Sequence, residues 1–140
     1  MSSAFVQVAV GAEQYAVAVE DVLEVAELGE LTAVPGAPEA LLGLINRDGQ
    51  VLAVVDLATA IGTTSAGGPS FLVVIDDGRR RAGLAVDQLI DVRAPFALTE
   101  ATSSDMVSGA AVVDGSLIGV LEIRSVLDRV SYSDGVQHDD

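Results

Sequence analysis

The sequence predicts an all-β protein folded as two small barrels, and three observations predict it. The chain repeats itself: Tyr15-Ala16-Val17-Ala18-Val19-Glu20-Asp21-Val22-Leu23-Glu24-Val25 returns as Ala82-Gly83-Leu84-Ala85-Val86-Asp87-Gln88-Leu89-Ile90-Asp91-Val92. Gly43, Asp48, Gly49, Val51, Val54 and Asp56 recur as Gly109, Asp114, Gly115, Leu117, Val120 and Glu122, so the register survives one deletion over a period of about 66 residues, which marks a duplication. Apolar residues fall in short alternating runs with almost no long helical pattern. Those runs are punctuated by Asp48-Gly49, Asp77-Gly78 and Asp114-Gly115, a dipeptide whose positive φ suits a tight hairpin turn. Closing each half into a barrel removes edges that Val-rich strands would otherwise expose, and leaves an apolar side on which the halves lean.

Taken in order, a strand from Phe5 to Val10 turns at Gly11-Ala12-Glu13 and returns from Tyr15 to Val19, where Tyr15, Val17 and Val19 share one face. Gly29 to Pro38 reads as a loop stiffened by Pro35 and Pro38, and Pro38-Glu39-Ala40-Leu41 as a single helical turn. Gly43 to Asn46 and Gln50 to Val55 form a hairpin through Asp48-Gly49. Asp56 is placed to cap a short helix, Leu57 to Ile61, whose end residues lie four apart on one face. After a Gly/Ser/Thr-rich connection, Gly62 to Pro69, the second half replays the order. It has strands from Phe71, Ala82 and Gly109, a turn at Asp114-Gly115, a strand Leu117 to Leu121 and a short helix from Ile123 to Val130. The expected organisation is one domain over 1–130, built from duplicated barrel halves of about 1–66 and 67–130, with a frayed polar tail at 131–140.

Composition narrows the function. A 140-residue chain that is half apolar removes roughly 70% of its unfolded surface on folding, whereas either half alone is marginal. Twenty-one acidic residues against seven basic ones, all arginine, give a formal net charge of -14, which repels nucleic acid. With no cysteine, no basic leader and no long apolar run, the expectation is a cytoplasmic protein without direct membrane insertion. Arg79-Arg80-Arg81, which follow Asp77-Gly78, read as a solvated hairpin end.

No catalytic residue, cofactor site or metal site is expected. The single His138 sits in the tail, and no serine has a histidine placed to activate it. The carboxylates of Asp87 and Asp91, or of Glu20, Asp21 and Glu24, lack the spacing of a calcium loop and read as solvated or hydrogen-bonded strand ends, with Asp87 a satisfied turn residue.

Five motifs in order resemble the CheW family of chemotaxis coupling proteins. They are Asp21-Val22-Leu23-Glu24-Val25, Val34-Pro35-Gly36-Ala37-Pro38, Gly43-Leu44-Ile45-Asn46-Arg47-Asp48-Gly49, Ala53-Val54-Val55-Asp56-Leu57, and Ala82-Gly83-Leu84-Ala85-Val86-Asp87-Gln88-Leu89. The resemblance spans about residues 5 to 130 and implies two linked SH3-like five-stranded barrels with short helices. It also implies a non-enzymatic cytoplasmic adaptor joining the cytoplasmic tip of a chemoreceptor to the regulatory domain of a CheA-type histidine kinase, with room for weak self-association.

The family pattern carries receptor contact to Val22, Glu24, Gly43 and Asn46. Val22 and Glu24, two apart in an extended segment, are expected to point the same way, and Val34-Pro35 to form a preorganised clamp. Where the family has Leu-Arg-Gly, this chain has Arg47-Asp48-Gly49, so the charge before Gly49 is reversed and Arg47 faces the other way from the missing arginine. The alternatives are an adaptor of another array, such as a type IV pilus or non-motility pathway, and a barrel module that binds a small molecule in the cleft between the halves.

Overall fold

The computed structural model describes residues 4–65, 67–93, 98–99 and 107–128. The strands are Phe5–Val10 (β1), Glu13–Ala18 (β2), Val22–Glu27 (β3), Leu41–Arg47 (β4), Gln50–Asp56 (β5), Phe71–Asp76 (β6), Arg81–Val86 (β7), Gln88–Arg93 (β8), Leu98–Thr99 (β9), Val107–Val113 (β10) and Ser116–Leu121 (β11). One helix spans Leu57–Ile61 (α1) and another residues 123–128 (α2). Asp48 and Gly49, at φ 55 and 85, and Asp114 and Gly115, at φ 52 and 81, make the two equivalent hairpin turns, because two successive positive φ values match the twist of the flanking strands.

The two sheets do not divide at residue 66. One runs β8-β1-β2-β11-β10-β9 and the other β3-β6-β7-β5-β4, so each repeat lends its first two strands to the sheet of the other. The lent strands are held in the same way on both sides. β2 lies parallel to β11 as β7 lies parallel to β5, and β1 is antiparallel to β8 as β6 is to β3. Bulges recur at the same places, between Leu41 and Gly43 on β4 and between Val107 and Gly109 on β10. Each sheet then rolls shut by a matched bridge, Thr32 to Leu44 in one and Thr99 to Ala110 in the other.

Three apolar cores follow from this exchange. Ile45, Leu52, Val54, Leu72, Val74 and Ala85 fill the barrel of β3 to β7, and Phe5, Ala16, Ala111, Val113, Ile118 and Val120 fill the other. A larger core between the barrels takes Val6, Val8 and Val10 from β1, Val73 and Ile75 from β6, Leu84 from β7, and Leu57 and Val126 from the helices. The first and second strands of each repeat have one face in a barrel and one in this shared core, so their buried residues are apolar on both faces except Gln7, whose amide donates to the Gln14 side chain (2.7 Å).

Several local expectations are adjusted. The second strand begins at Glu13, two residues before Tyr15. Residues 38–41 make a single turn, closed by the Leu41 N–H donating to the Pro38 carbonyl at 3.0 Å, and pass directly into β4 without a helix. Asp56 occupies the N-cap position of α1, but its carboxylate accepts from the Thr59 hydroxyl (2.8 Å) rather than from a backbone N–H. Gly62, at φ 85, ends α1, and the Thr63 N–H reaches back to the Ala58 carbonyl at 2.8 Å, a Schellman closure. The end of the second helix beyond residue 128 and the tail at 131–140 lie outside the described residues.

Candidate protein-binding site

Most of the singled-out residues lie along the seam where the first barrel closes. β3 and β4 are the outer strands of their sheet, and the rolled sheet brings them together. Thr32 exchanges two backbone hydrogen bonds with Leu44 (2.9 and 2.8 Å), and beside this bridge the Arg47 guanidinium donates to the Glu24 carboxylate. Both charged side chains are half-buried, so the pair closes the mouth of the barrel while keeping one side in solvent.

Gly43 belongs to the seam as a structural residue. It is buried, and a Cβ there would stand 2.6 Å from the Thr32 carbonyl oxygen, so only glycine allows the bridge to close. Asn46 is exposed and its side-chain oxygen accepts the Gly49 N–H at 3.1 Å, which fixes the turn. Asp48 stands exposed at the tip of that turn. Val34-Pro35 follow the bridge. The Ala37 N–H donates to the Val34 carbonyl (3.2 Å) and Gly36 has φ 78, as in a type II turn with proline at its second position, leaving Pro35 exposed and Val34 half-buried.

Val22 and Glu24 do not point the same way. A bulge between them pairs Val22 with Ile75 and Glu24 with Val74 on the neighbouring strand. Ile75 faces the core between the barrels and Val74 the barrel interior, so Val22 packs on the shared core while Glu24 turns toward the barrel mouth and Arg47. The side chains left outward are Leu23, 52% exposed, and Val25, 44% exposed. In Val22-Leu23-Glu24-Val25 three of four residues are apolar, so alternation cannot report that these two face outside. The seam therefore presents two apolar side chains on the strand that carries Glu24 and its partner Arg47, a surface suited to another protein's side chains.

Away from the seam, the carboxylates are engaged in structure. Asp87 accepts the Gly11 N–H (2.8 Å) and the Ser65 hydroxyl, tying the first hairpin turn to the connection between repeats. The Asp77 side chain is largely covered; that desolvation alone would push its pKa up, but the N–H groups of Arg79 and Arg80 and the Arg80 guanidinium outweigh it and hold the carboxyl well below the usual carboxylate range. Asp21 goes the other way, pushed up by burial and then by Glu20, Glu122 and Asp77. The arginine run is thus not a free hairpin end: Arg80 spans Asp77 and Asp128 (2.7 and 2.8 Å), and Arg81 reaches Asp76 and Gln50 (3.2 and 2.9 Å). Among the described residues no group of three or more His, Cys, Asp or Glu side chains is placed to hold a metal ion, and no helix is long and apolar enough to cross a membrane.

Known proteins share this arrangement over nearly the whole chain. "Probable chemotaxis protein CheW" of Rhizobium etli is 28% identical over 130 residues, covering 86% of this chain and 84% of its own. "Chemotaxis protein CheW" of Rhizobium meliloti is 28% identical over 128 residues, covering 84% and 82%. The crystal structure of the scaffolding protein TtCheW from Thermoanaerobacter tengcongensis superimposes with a TM-score of 0.80 at 26% identity, over 88% of this chain and 86% of that one. The CheW-like domain model matches residues 4–131, and with both barrels inside that match the chain belongs to the CheW-like domain family.

Proposed function

We propose that this protein is a non-enzymatic chemotaxis adaptor in the cytoplasm, coupling the cytoplasmic tip of chemoreceptors to the regulatory domain of a CheA-type histidine kinase. The observation that carries the reading is the near end-to-end likeness of both barrels to a CheW scaffold, at a TM-score of 0.80. The seam of the first barrel is assigned to the receptor. Its half-buried Glu24–Arg47 pair and outward Leu23 and Val25 suit a helical bundle, which offers apolar ridges edged by charge. The exposed Asp48, where the family has arginine, calls for a receptor surface that is neutral or basic at that contact.

Calorimetric titration of the full chain with the regulatory domain of a CheA-type histidine kinase from the same organism, at moderate and high salt, tests the adaptor reading. Saturable micromolar binding supports it. No complex at either salt, with both proteins folded, overturns it. Leu23→Asp, on an exposed side chain, should lower receptor-tip affinity by about tenfold, the scale of losing one apolar contact, and leave kinase binding unchanged. Equal losses on both partners would remove the assignment of the seam to the receptor.

A further inference from the structure

We infer that the groove between the start of β5 and the β6–β7 hairpin docks an acidic peptide segment of a partner protein through Arg79. The groove has a volume of about 560 Å³ and is walled by Arg79, Arg80 and Arg81 on one side and by Gln50 and Val51 on the other. Three of the chain's seven basic residues stand here in a protein of net charge -14.

The three arginines are not equivalent. Arg80 is held by Asp77, Asp128 and the Arg124 carbonyl, and Arg81 by Asp76 and Gln50, so both are fixed in place with most of their charge answered. Arg79 is exposed, and while its backbone N–H donates to Asp77 (2.9 Å), its guanidinium has no hydrogen-bonding or ion-pair partner among the described residues. It is the surplus cation of the groove, beside Val51, which leaves 65% of its surface in solvent. The occupant that fits has carboxylates next to an apolar side chain. The groove lies where β5 and β7 have parted, since their pairing runs from Val54 to Asp56 and from Gly83 to Ala85.

The repeat supplies an internal control. The equivalent groove in the other half, of about 500 Å³, is walled by Ala12, Glu13 and Gln14 against Ser116 and Leu117, where Leu117 is 69% exposed. The cavity and its exposed apolar residue are common to both halves, whereas the arginines belong to one. An acidic segment is repelled by the rest of the surface and finds an answering charge at Arg79.

The test uses the full chain and a fluorescein-labelled peptide, Glu-Asp-Leu-Glu-Asp, followed by anisotropy at low salt. Saturable sub-millimolar binding is expected. Arg79→Ala should weaken it by about fivefold, the scale of one solvent-exposed Arg–carboxylate contact. Gln88→Glu makes the same change in net charge at an exposed site at the start of β8, beyond the far end of β7, and should leave binding within error of wild type. Equal effects of Arg79→Ala and Gln88→Glu, or no saturable binding by wild type, would overturn the assignment. So would displacement of the probe by inorganic phosphate beyond that by chloride of equal ionic strength, which identifies a small-anion site. Self-association of the chain that excludes the probe, followed by analytical ultracentrifugation, identifies a second copy as the occupant and likewise overturns it.

Discussion

The two barrels share one topology yet differ at three matched places, and the differences separate what the fold needs from what a partner reads. At the seam, the first barrel has Arg47 facing Glu24, whereas the second has Val113, buried in its core, with Asp91 at the other position. At the hairpin beside it, Asn46 pairs across the strands with Val51, and Val112 with Leu117. In the groove, Arg79, Arg80 and Arg81 stand against Ala12, Glu13 and Gln14. The turn residues Asp48-Gly49 and Asp114-Gly115, the bulges and the closing bridges do not change. Positions set by backbone geometry were kept in both copies, and the exposed ones diverged, with polarity at the seam concentrated in the first barrel.

Because each repeat lends strands to the other, the barrels should not unfold separately. The largest effect is expected from Leu84→Ala, a fully buried residue in the shared core: a loss of about 2–5 kcal/mol within a single transition. Urea unfolding followed by circular dichroism and Tyr fluorescence checks it. Two separated transitions would show that the barrels are independent despite the exchange.

The next comparison sets two equivalent glycines against each other. Gly11 and Gly78 both have positive φ, 62 and 97, at the first hairpin turn of their repeats. A Cβ on Gly11 would lie 2.2 Å from the Thr64 carbonyl oxygen, whereas on Gly78 it meets nothing within 4 Å. Gly11→Ala should therefore cost about 3 kcal/mol, combining left-handed strain with backbone displacement, and Gly78→Ala about 1 kcal/mol from strain alone. Equal losses by denaturant titration would mean that the Thr64 contact gives way freely.

Much of this was legible in the chain and some was not, for physical reasons. Alternation, Asp-Gly turns and the repeat identify strand order, because each is a local constraint written in neighbouring residues. The exchange between sheets is invisible to such reading: β1 pairs with both β2 and β8, and nothing in Phe5–Val10 distinguishes the distant partner. Flanking apolar residues hide the bulge at Leu23, so plain alternation predicts the wrong parity for Val22 and Glu24. Glu24 and Arg47 were each singled out, but their meeting depends on barrel closure. In the sequence Asp77 is only half of a turn dipeptide, and its network depends on Arg80 also reaching the distant Asp128 in the second helix.

That network distinguishes the hairpins further. In Asp77→Asn an amide would face the Arg80 guanidinium donor to donor, and stability at neutral pH should fall by about 2 kcal/mol, the scale of charge-assisted hydrogen bonds. The folded carboxyl is depressed, so its contribution is complete above its ordinary value of 3.8 and is lost as pH falls below it toward the lower folded value. Wild type and Asp77→Asn should therefore differ by a constant amount from pH 5 to 8 and converge below about pH 4. Asp21, which is pushed up, runs opposite: Asp21→Asn should raise the melting temperature at neutral pH, with the gain fading in acid. A difference between wild type and Asp77→Asn that persists unchanged at pH 2 would show that the carboxylate charge is not what the network uses.

The smallest effect on stability should carry the sharpest reading of the seam. Asp48 and Asp114 occupy the same left-handed turn position, at φ 55 and 52, so arginine at either would add backbone strain and blur any effect on binding. Asparagine tolerates that conformation and removes only the charge. Asp48→Asn and Asp114→Asn should each change stability by less than about 0.5 kcal/mol, as surface substitutions do. If Asp48 meets the receptor, removing its charge should change receptor affinity and its salt dependence, while Asp114→Asn on the other barrel leaves both untouched. Identical receptor binding by the two variants would place Asp48 outside the contact, and would mean that the charge reversal before Gly49 needs no compensating partner.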